Sequence, residues 1–386
     1  MHALLADAAA AGPLAVDEMS GATIVLRYAD IDALAHDHRL AGVGLALFDL
    51  MGISDGPLRD WYGGLMFTNE GPSHHRLRQL VSRAFTPRSV AALRDDAREI
   101  AAAAIAPLRE AGEGDLVDAL ARVPIRVMCR LIGVPEADVE VFSTWADALS
   151  PTFGFMDEAE VKAATEAIGL MLDYCASLVD VRVDEPGADL ITSLLAAEAD
   201  GERLTRRELV SMVANLIVGG HDTTASQIGC TLLTLLRAPE ATARVRADRG
   251  LLGSAVAETI RYEPSISAVP RVATAPIVVA GEQLAAGSLL LLCTMAANRE
   301  AGVWREPGTV DVERFADPST PKLLSFGAGP HYCLGAALAR LTLDEVVRAV
   351  LDASATVEPA DDLSAVPWRF VLGRSPACLP VRTVVS

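Results

Sequence analysis

Residues 205–236 constrain this chain more than any other stretch. Thr205 followed three residues later by Glu208 is a capping-box signature, and helix-forming residues run from there to about Leu236, before Pro239. Roughly 30 residues at about 1.5 Å each make a helix of about 45 Å, enough to cross a whole domain. Other elements must be assembled around it. Its middle, Gly219-Gly220-His221-Asp222-Thr223-Thr224, consists of poor helix-interior residues in an otherwise apolar segment. Two glycines remove side chains where something large must approach, and Asp222 and Thr223 set an acid and a hydroxyl beside that gap. A tolerated kink is the competing reading. An uncompensated aspartate in a buried helix is costly, which favours a functional site.

Around that helix the pattern is mostly helical. From 90 to 200, helical periodicities alternate with breaks at Pro124, Pro135, Pro151 and Pro186-Gly187, without an internal repeat or a linker-like segment. One domain over 1–386 is expected. Residues 251–262 read as a further helix, stopped by Pro264, with Glu258 and Arg261 three apart and able to pair. Strand signal falls elsewhere. Residues 22–28 read as the edge of a small sheet, followed by a short helix over 30–36. Residues 277–280, a turn at Gly281 and residues 288–293 predict a hairpin, and 366–371 with 377–383 predict a strand, turn and strand. The fold class is therefore mainly α with a smaller β-rich lobe. The helical body covers about 72–262 and 335–352, and the β-rich parts about 22–28, 265–293 and 366–383. The first residues are poorly patterned, and 40–70 reads as an irregular loop with Trp61 and Tyr62 exposed; a loop of that length is usually functional.

Two short stretches carry chemistry. In Phe326-Gly-Ala-Gly-Pro-His-Tyr-Cys-Leu-Gly, the glycines and Pro330 exclude a regular element, whereas good helix formers begin at Ala336. Cys333 lies at that junction, where unpaired N–H groups and the helix dipole favour a thiolate. A structural cysteine beside a tight turn fits the same residues. Farther upstream, Pro72 opens a helix on which His74 and Arg78 share a face, a pair suited to clamping a carboxylate or simply to meeting water. His36 and His38 flank Asp37 in what reads as a solvated helix end.

Composition removes several classes. Acidic residues outnumber basic ones 51 to 33 for a net charge of −18, against general binding to nucleic acid or to an anionic membrane. No apolar run reaches the roughly 18 residues of a membrane span. The start of the chain lacks the basic region of a secretory signal, and six scattered cysteines suit a reducing compartment, so a cytoplasmic location is expected.

Taken together, four separated motifs resemble the cytochrome P450 family, over nearly the whole chain from about Ala22. Phe326-Gly-x-Gly-x-His331-x-Cys333-x-Gly335 is similar to its haem-binding signature, Glu258-x-x-Arg261 precedes that signature as in the family, and Gly219 to Thr224 resembles the oxygen-activating segment of its long central helix, with Gly219 where most members carry alanine. His74, Arg78, Arg271 and His331 fall where bacterial members hold the haem propionates.

The resemblance implies a soluble bacterial-type P450 shaped as a helical triangular prism, holding haem b. Cys333 is then the iron ligand, Gly335 lets the chain pass close to the porphyrin, and Gly219 and Phe326 belong to the cofactor site. Asp222 and Thr223 are the implied catalytic pair, passing protons towards dioxygen. Glu258 and Arg261 are a structural pair joined by Arg299 or Arg314. The implied substrate contacts come from 50–70, 151–156, Ala214 to Val218, 265–269 (with Ile266 and Val269) and Phe370-Val371, mostly apolar and so suited to a hydrophobic or amphipathic organic molecule. Implied reactions are hydroxylation or epoxidation in secondary metabolism, with electrons from a ferredoxin or flavodoxin docking near Arg76, Arg83, Arg88 and Arg340. Desaturation, carbon–carbon coupling and rearrangement use the same motifs. A haem-thiolate sensor has no need of Asp222 and Thr223.

Overall fold

The computed structural model describes residues 1–198, 201–353, 356–370 and 372–384. The chain divides into two compact units, one made of Met1–Gly44 with Ala238–Cys333, the other of Leu45–Arg237 with Leu334–Ser386.

The larger unit is built on the central helix, Arg206–Arg237. Thr205 caps it as expected: the Glu208 N–H donates to Thr205 Oγ1 at 3.2 Å, and the Thr205 N–H donates to the Glu208 carboxylate at 2.8 Å. The helix continues without a break through Gly219–Thr224. A second capping box, Asp157 with Glu160, starts the helix Glu158–Asp184. Arg94–Ala111 buries Ala97, Ala101 and Ile105 at four-residue spacing and packs on Ala336–Ala353. Between these two helices Glu345 is fully buried, accepting from Arg94 at 2.6 Å and Arg98 at 3.0 Å.

The region 40–70 differs from expectation. Short helices Ala46–Leu50 and Pro57–Gly63 occupy it, the second opened by its proline. Elements of five to seven residues are too short to show a period. Trp61 and Tyr62 are buried rather than exposed, at 2% and 7%. Tyr62 packs on Phe48, Phe67 and Phe153, and burial pushes its hydroxyl up to about 12.

The smaller unit carries a five-stranded sheet, in the order Leu14–Val16, Thr23–Val25, Leu289–Leu292, Val269–Ala273, Leu40–Ala41. Val25, Ile31, Leu34, Leu290, Leu292 and Leu324 form its core. Two expectations are corrected here. Ile277–Val279 forms its hairpin with Glu282–Leu284, through positive-φ residues Ala280 and Gly281. The 288–293 run instead enters the large sheet, parallel to Thr23–Val25 and antiparallel to Val269–Ala273. Glu282–Leu284 is mostly exposed and polar, so it carries no strand signal of its own. The other correction is the helix His2–Ala11, whose alanine-rich sequence has helix propensity but no apolar period.

In the larger unit, Trp368–Phe370 pairs with Arg374–Pro376, while Pro380–Val384 joins Glu113–Asp115 and Thr356–Pro359. The two C-terminal runs predicted to be joined through a turn thus belong to different sheets, because alternation marks a strand without naming its partner. No helix among the described residues is long and apolar enough to cross a membrane.

Candidate functional site

In the smaller unit the loop holding Cys333 is closed on itself. The Cys333 N–H donates to the Phe326 carbonyl at 2.9 Å, and the Gly327 N–H to the Leu324 carbonyl at 2.8 Å. Gly327 and Gly329 have φ of 73° and 65°, in the left-handed region that favours glycine. Gly329 has a second constraint: a Cβ there would lie 2.2 Å from the Ala35 carbonyl oxygen, so the loop backbone rests on the end of the helix Tyr28–Ala35. The Cys333 side chain is exposed. Arg271 and Val269, from the central sheet, line one recess with Gly327, Ala328 and Thr294, while His331 closes the short turn Gly329–His331. Ile266 is half-buried, its carbonyl accepting from Thr294 Oγ1 at 3.2 Å.

Beneath that loop lies a buried ion cluster. Glu258 and Arg261 are both fully buried, with two bonds of 2.7 Å between them. Glu258 also accepts from Arg314 Nε at 3.0 Å and the Asp311 N–H at 2.9 Å. The partner is therefore Arg314; Arg299 instead donates to the Tyr262 carbonyl and stacks on that ring at 3.8 Å. Arg261 reaches the Asn298 carbonyl at 2.8 Å, and Asn298 Nδ2 donates to Ser325 Oγ at 2.7 Å. Ser325 precedes Phe326, so a continuous chain of hydrogen bonds runs from Glu258 to the base of the cysteine loop. Asn298 and Ser325 carry no motif, and a sequence gives no sign of the link.

In the larger unit His74, 5% exposed, and Arg78 lie one turn apart on Gly71–Ala84. The central helix carries Ala214, Val218 and Asp222 at four-residue steps, with Gly219 and Thr223 beside them. Asp222 is compensated: its Oδ2 accepts from the Leu372 N–H at 3.3 Å. Thr223 Oγ1 donates to the Gly219 carbonyl at 2.9 Å, which keeps the hydroxyl inside the helix turn. The two glycines have different reasons. A Cβ on Gly220 would lie 2.3 Å from Met128 Cε, whereas one on Gly219 would meet nothing within 4 Å. Gly335 precedes Ala336–Ala353 and its carbonyl accepts the first helical bond, from Ala339 at 2.8 Å. Phe370 is 66% exposed on its strand, and Val371 lies outside the described residues. Arg76, expected at a docking face, is engaged by Glu202 and Glu208, so its charge is already matched.

These residues can be tested against a metal cofactor by their donor chemistry. Among the described residues no group of three or more His, Cys, Asp or Glu could hold a metal ion. A free transition-metal ion wants about four protein ligands, whereas an iron carried in a porphyrin brings four nitrogens and needs one axial donor. A single exposed thiol on a backbone-braced loop, with Arg271 and His331 in the same unit, suits the second case. The donor set therefore fits a porphyrin-held iron better than a free metal ion.

Comparison with known proteins agrees. Residues 146–354 match the model of the family described as cytochrome P450. The cyclomarin C epoxidase CymV of Salinispora arenicola is 39% identical, over 76% of this chain and 74% of its own length. The nocardicin C N-oxygenase of Nocardia uniformis is 38% identical, over 82% and 79%. Among solved structures, CalO2 superposes with a TM-score of 0.92 at 29% identity, covering 99% of this chain and 96% of its own. The chain belongs to the cytochrome P450 family and has its fold. It is a monooxygenase whose cofactor is a haem and whose reaction takes an organic substrate, dioxygen and electrons from a redox partner.

Proposed function

We propose that the whole chain, residues 1–386, acts as one catalytic domain in the cytoplasm, using haem b to hydroxylate or epoxidise a small hydrophobic or amphipathic molecule of secondary metabolism. The observation that carries the reading is the exposed Cys333 thiol on a loop closed by its own N–H and anchored through Ser325 to the Glu258 cluster. When bound, the haem supplies dioxygen activation, which a thiolate ligand favours by donating electron density.

The chain's residues do the rest. Cys333 Sγ would be the iron ligand, and Phe326, Gly335 and Gly219 are the further residues assigned to holding the cofactor. His74 and Arg78 on the larger unit, and Arg271 and His331 on the smaller, would each offer a cationic or donor group to a haem propionate, whose burial unpaired would be costly. Asp222 holds and passes a proton from a carboxylate oriented by the Leu372 N–H; Thr223 relays it through a hydroxyl held on the Gly219 carbonyl. Ala214 and Val218, both buried in the larger unit, and Phe370 of the same unit would contact an apolar substrate, and Ile266 and Val269 of the smaller unit carry the same assignment by their family positions. The epoxidation and N-oxygenation named for the two relatives support oxygen insertion as the outcome. A ferredoxin or flavodoxin is the donor, and Arg83, Arg88 and Arg340 are its docking cations, without Arg76.

The test is a screen for compounds that shift the haem from low to high spin, followed by turnover under ¹⁸O₂. One labelled oxygen in the product supports the reading. A product lacking the label assigns desaturation, coupling or rearrangement instead. Asp222→Asn and Thr223→Ala lower the product formed per electron pair consumed.

A further inference from the structure

Three consecutive residues of the central helix meet three different neighbours within the larger unit. Gly220 abuts Met128 of the helix Val123–Ile132. His221, 4% exposed, places Nε2 at 2.9 Å from Asp147 Oδ1, on the helix Val139–Leu149. Asp222 accepts from the Leu372 N–H. Successive helix positions differ by about 100°, so the helix is gripped from three sides at the turn bearing Asp222 and Thr223.

The middle grip is the polar one. Asp147 also accepts from Arg122 at 2.7 Å, and Arg122 donates to the buried Ser143 on the same helix as Asp147. Burial pushes the Asp147 carboxyl upward, yet the hydrogen bonds from His221 and Arg122 outweigh it and hold the group below its ordinary range. Asp147 is thus ionised at neutral pH and can only accept, which places the shared proton on His221 Nε2. The other ring nitrogen, Nδ1, is buried without a hydrogen-bond partner among the described residues. An orphaned buried nitrogen costs stability, so a histidine here is justified by its one contact to Asp147.

We propose that His221 and Asp147 are positioning residues for Asp222 and Thr223, fixing the rotation of the central helix and tying it to Val139–Leu149. That helix leads into the turn Ser150–Phe153, where the Phe153 ring lies 5.9 Å from Tyr62 and 5.8 Å from Phe67. A displacement of this aromatic turn therefore pulls, through Asp147, on the residue next to the acid. The proposal rests on the roles given above to Asp222 and Thr223.

Hydrogen–deuterium exchange of the full haem-loaded chain, read by mass spectrometry over residues 215–224, tests it. The reduced carbonyl spectrum is recorded alongside, so that a failure of the haem reading is seen separately. His221→Leu should raise exchange over 215–224 about tenfold, the loss of one charge-assisted hydrogen bond, while peptides from Arg94–Ala111 keep their rates. His221→Gln, whose amide nitrogen can take the place of Nε2, should restore protection. Unchanged exchange in His221→Leu overturns the proposal, and so does a rise that His221→Gln does not reverse, since the ring then acts through packing alone. Should His221→Leu not fold, Asp147→Leu and Asp147→Asn carry the test. The leucine must raise exchange over 215–224 and the asparagine, which still accepts from Nε2, must not; equal behaviour of the two refutes it.

Discussion

Replacing Glu258 by Gln probes the ion cluster under the cysteine loop. Glu258 and Arg261 are fully buried and Arg314 is 9% exposed, and Glu258 accepts from Arg261 Nε, Arg261 Nη2, Arg314 Nε and the Asp311 N–H. Glutamine removes the charge and turns an amide donor towards guanidinium donors. Two cations then remain buried with no carboxylate between them, and breaking a buried pair in this way costs about 3–5 kcal/mol. The sign follows from desolvation, since neither arginine can recover water without opening the loops that cover it. The expected fall in Tm depends on what melts together. At about 2 cal/mol/K per residue, 4 kcal/mol lowers Tm by about 5 °C if the whole chain unfolds as one, and by about 14 °C if the unit of roughly 140 residues holding Glu258 melts alone. Calorimetry on wild type and variant measures both the shift and the number of transitions. A variant that melts within about 1 °C of wild type refutes the reasoning, because the cluster would then carry no net stability.

Other expectations follow from single positions. Gly219→Ala meets no atom and should gain about 0.5–1 kcal/mol in helix propensity, whereas Gly220→Ala sets a methyl against Met128 Cε, the movable end of a flexible side chain, whose displacement cancels part of the same gain; urea midpoints compare the two, and Gly219→Ala should stand higher. Asp344 gives a pH signature. Burial, with Glu345 adding and Arg94, Arg348 and Arg340 opposing, pushes its carboxyl to about 6, and its Oδ1 has no hydrogen-bond partner among the described residues. Its folded value lies above the ordinary one, so the folded chain keeps a proton the unfolded chain has lost between about pH 4 and pH 6. Stability from this group is full below about pH 4 and falls as pH rises to about 6. Asp344→Asn should therefore stabilise by up to about 3 kcal/mol at pH 8 and by nothing at pH 4, read as the difference in Tm from wild type at each pH.

What the sequence displayed was set by how local each signal is. The central helix, its cap at Thr205 and the start of the helix after Cys333 depend on neighbouring residues, and all three stand where the residues place them. Glu258 and Arg261 were legible as a pair three apart but not as a buried one, because their enclosure comes from Asn298, Pro307 and Thr309, 37 to 48 residues from Arg261 along the chain. Strand partners were lost for the same reason: Leu289–Leu292 reads equally well as a hairpin arm or as a central strand. His221 stayed hidden because its partner lies 74 residues away, and nothing in Asp147's own surroundings marks it. In sequence Asp222 has no visible partner, because the backbone N–H that satisfies it comes from Leu372, 150 residues away.

The proposed bond from Cys333 Sγ to a haem iron can be observed directly. The absorption of the reduced carbonyl complex reports that bond, because a thiolate ligand moves its main band well to the red of an imidazole-ligated haem. The prediction is a red-shifted band in the wild-type chain that disappears in Cys333→Ser and Cys333→His, while variants at Cys129, Cys175, Cys230, Cys293 and Cys378 keep it. A wild-type chain without that band, or one whose band survives the loss of Cys333, contradicts the assignment of the ligand.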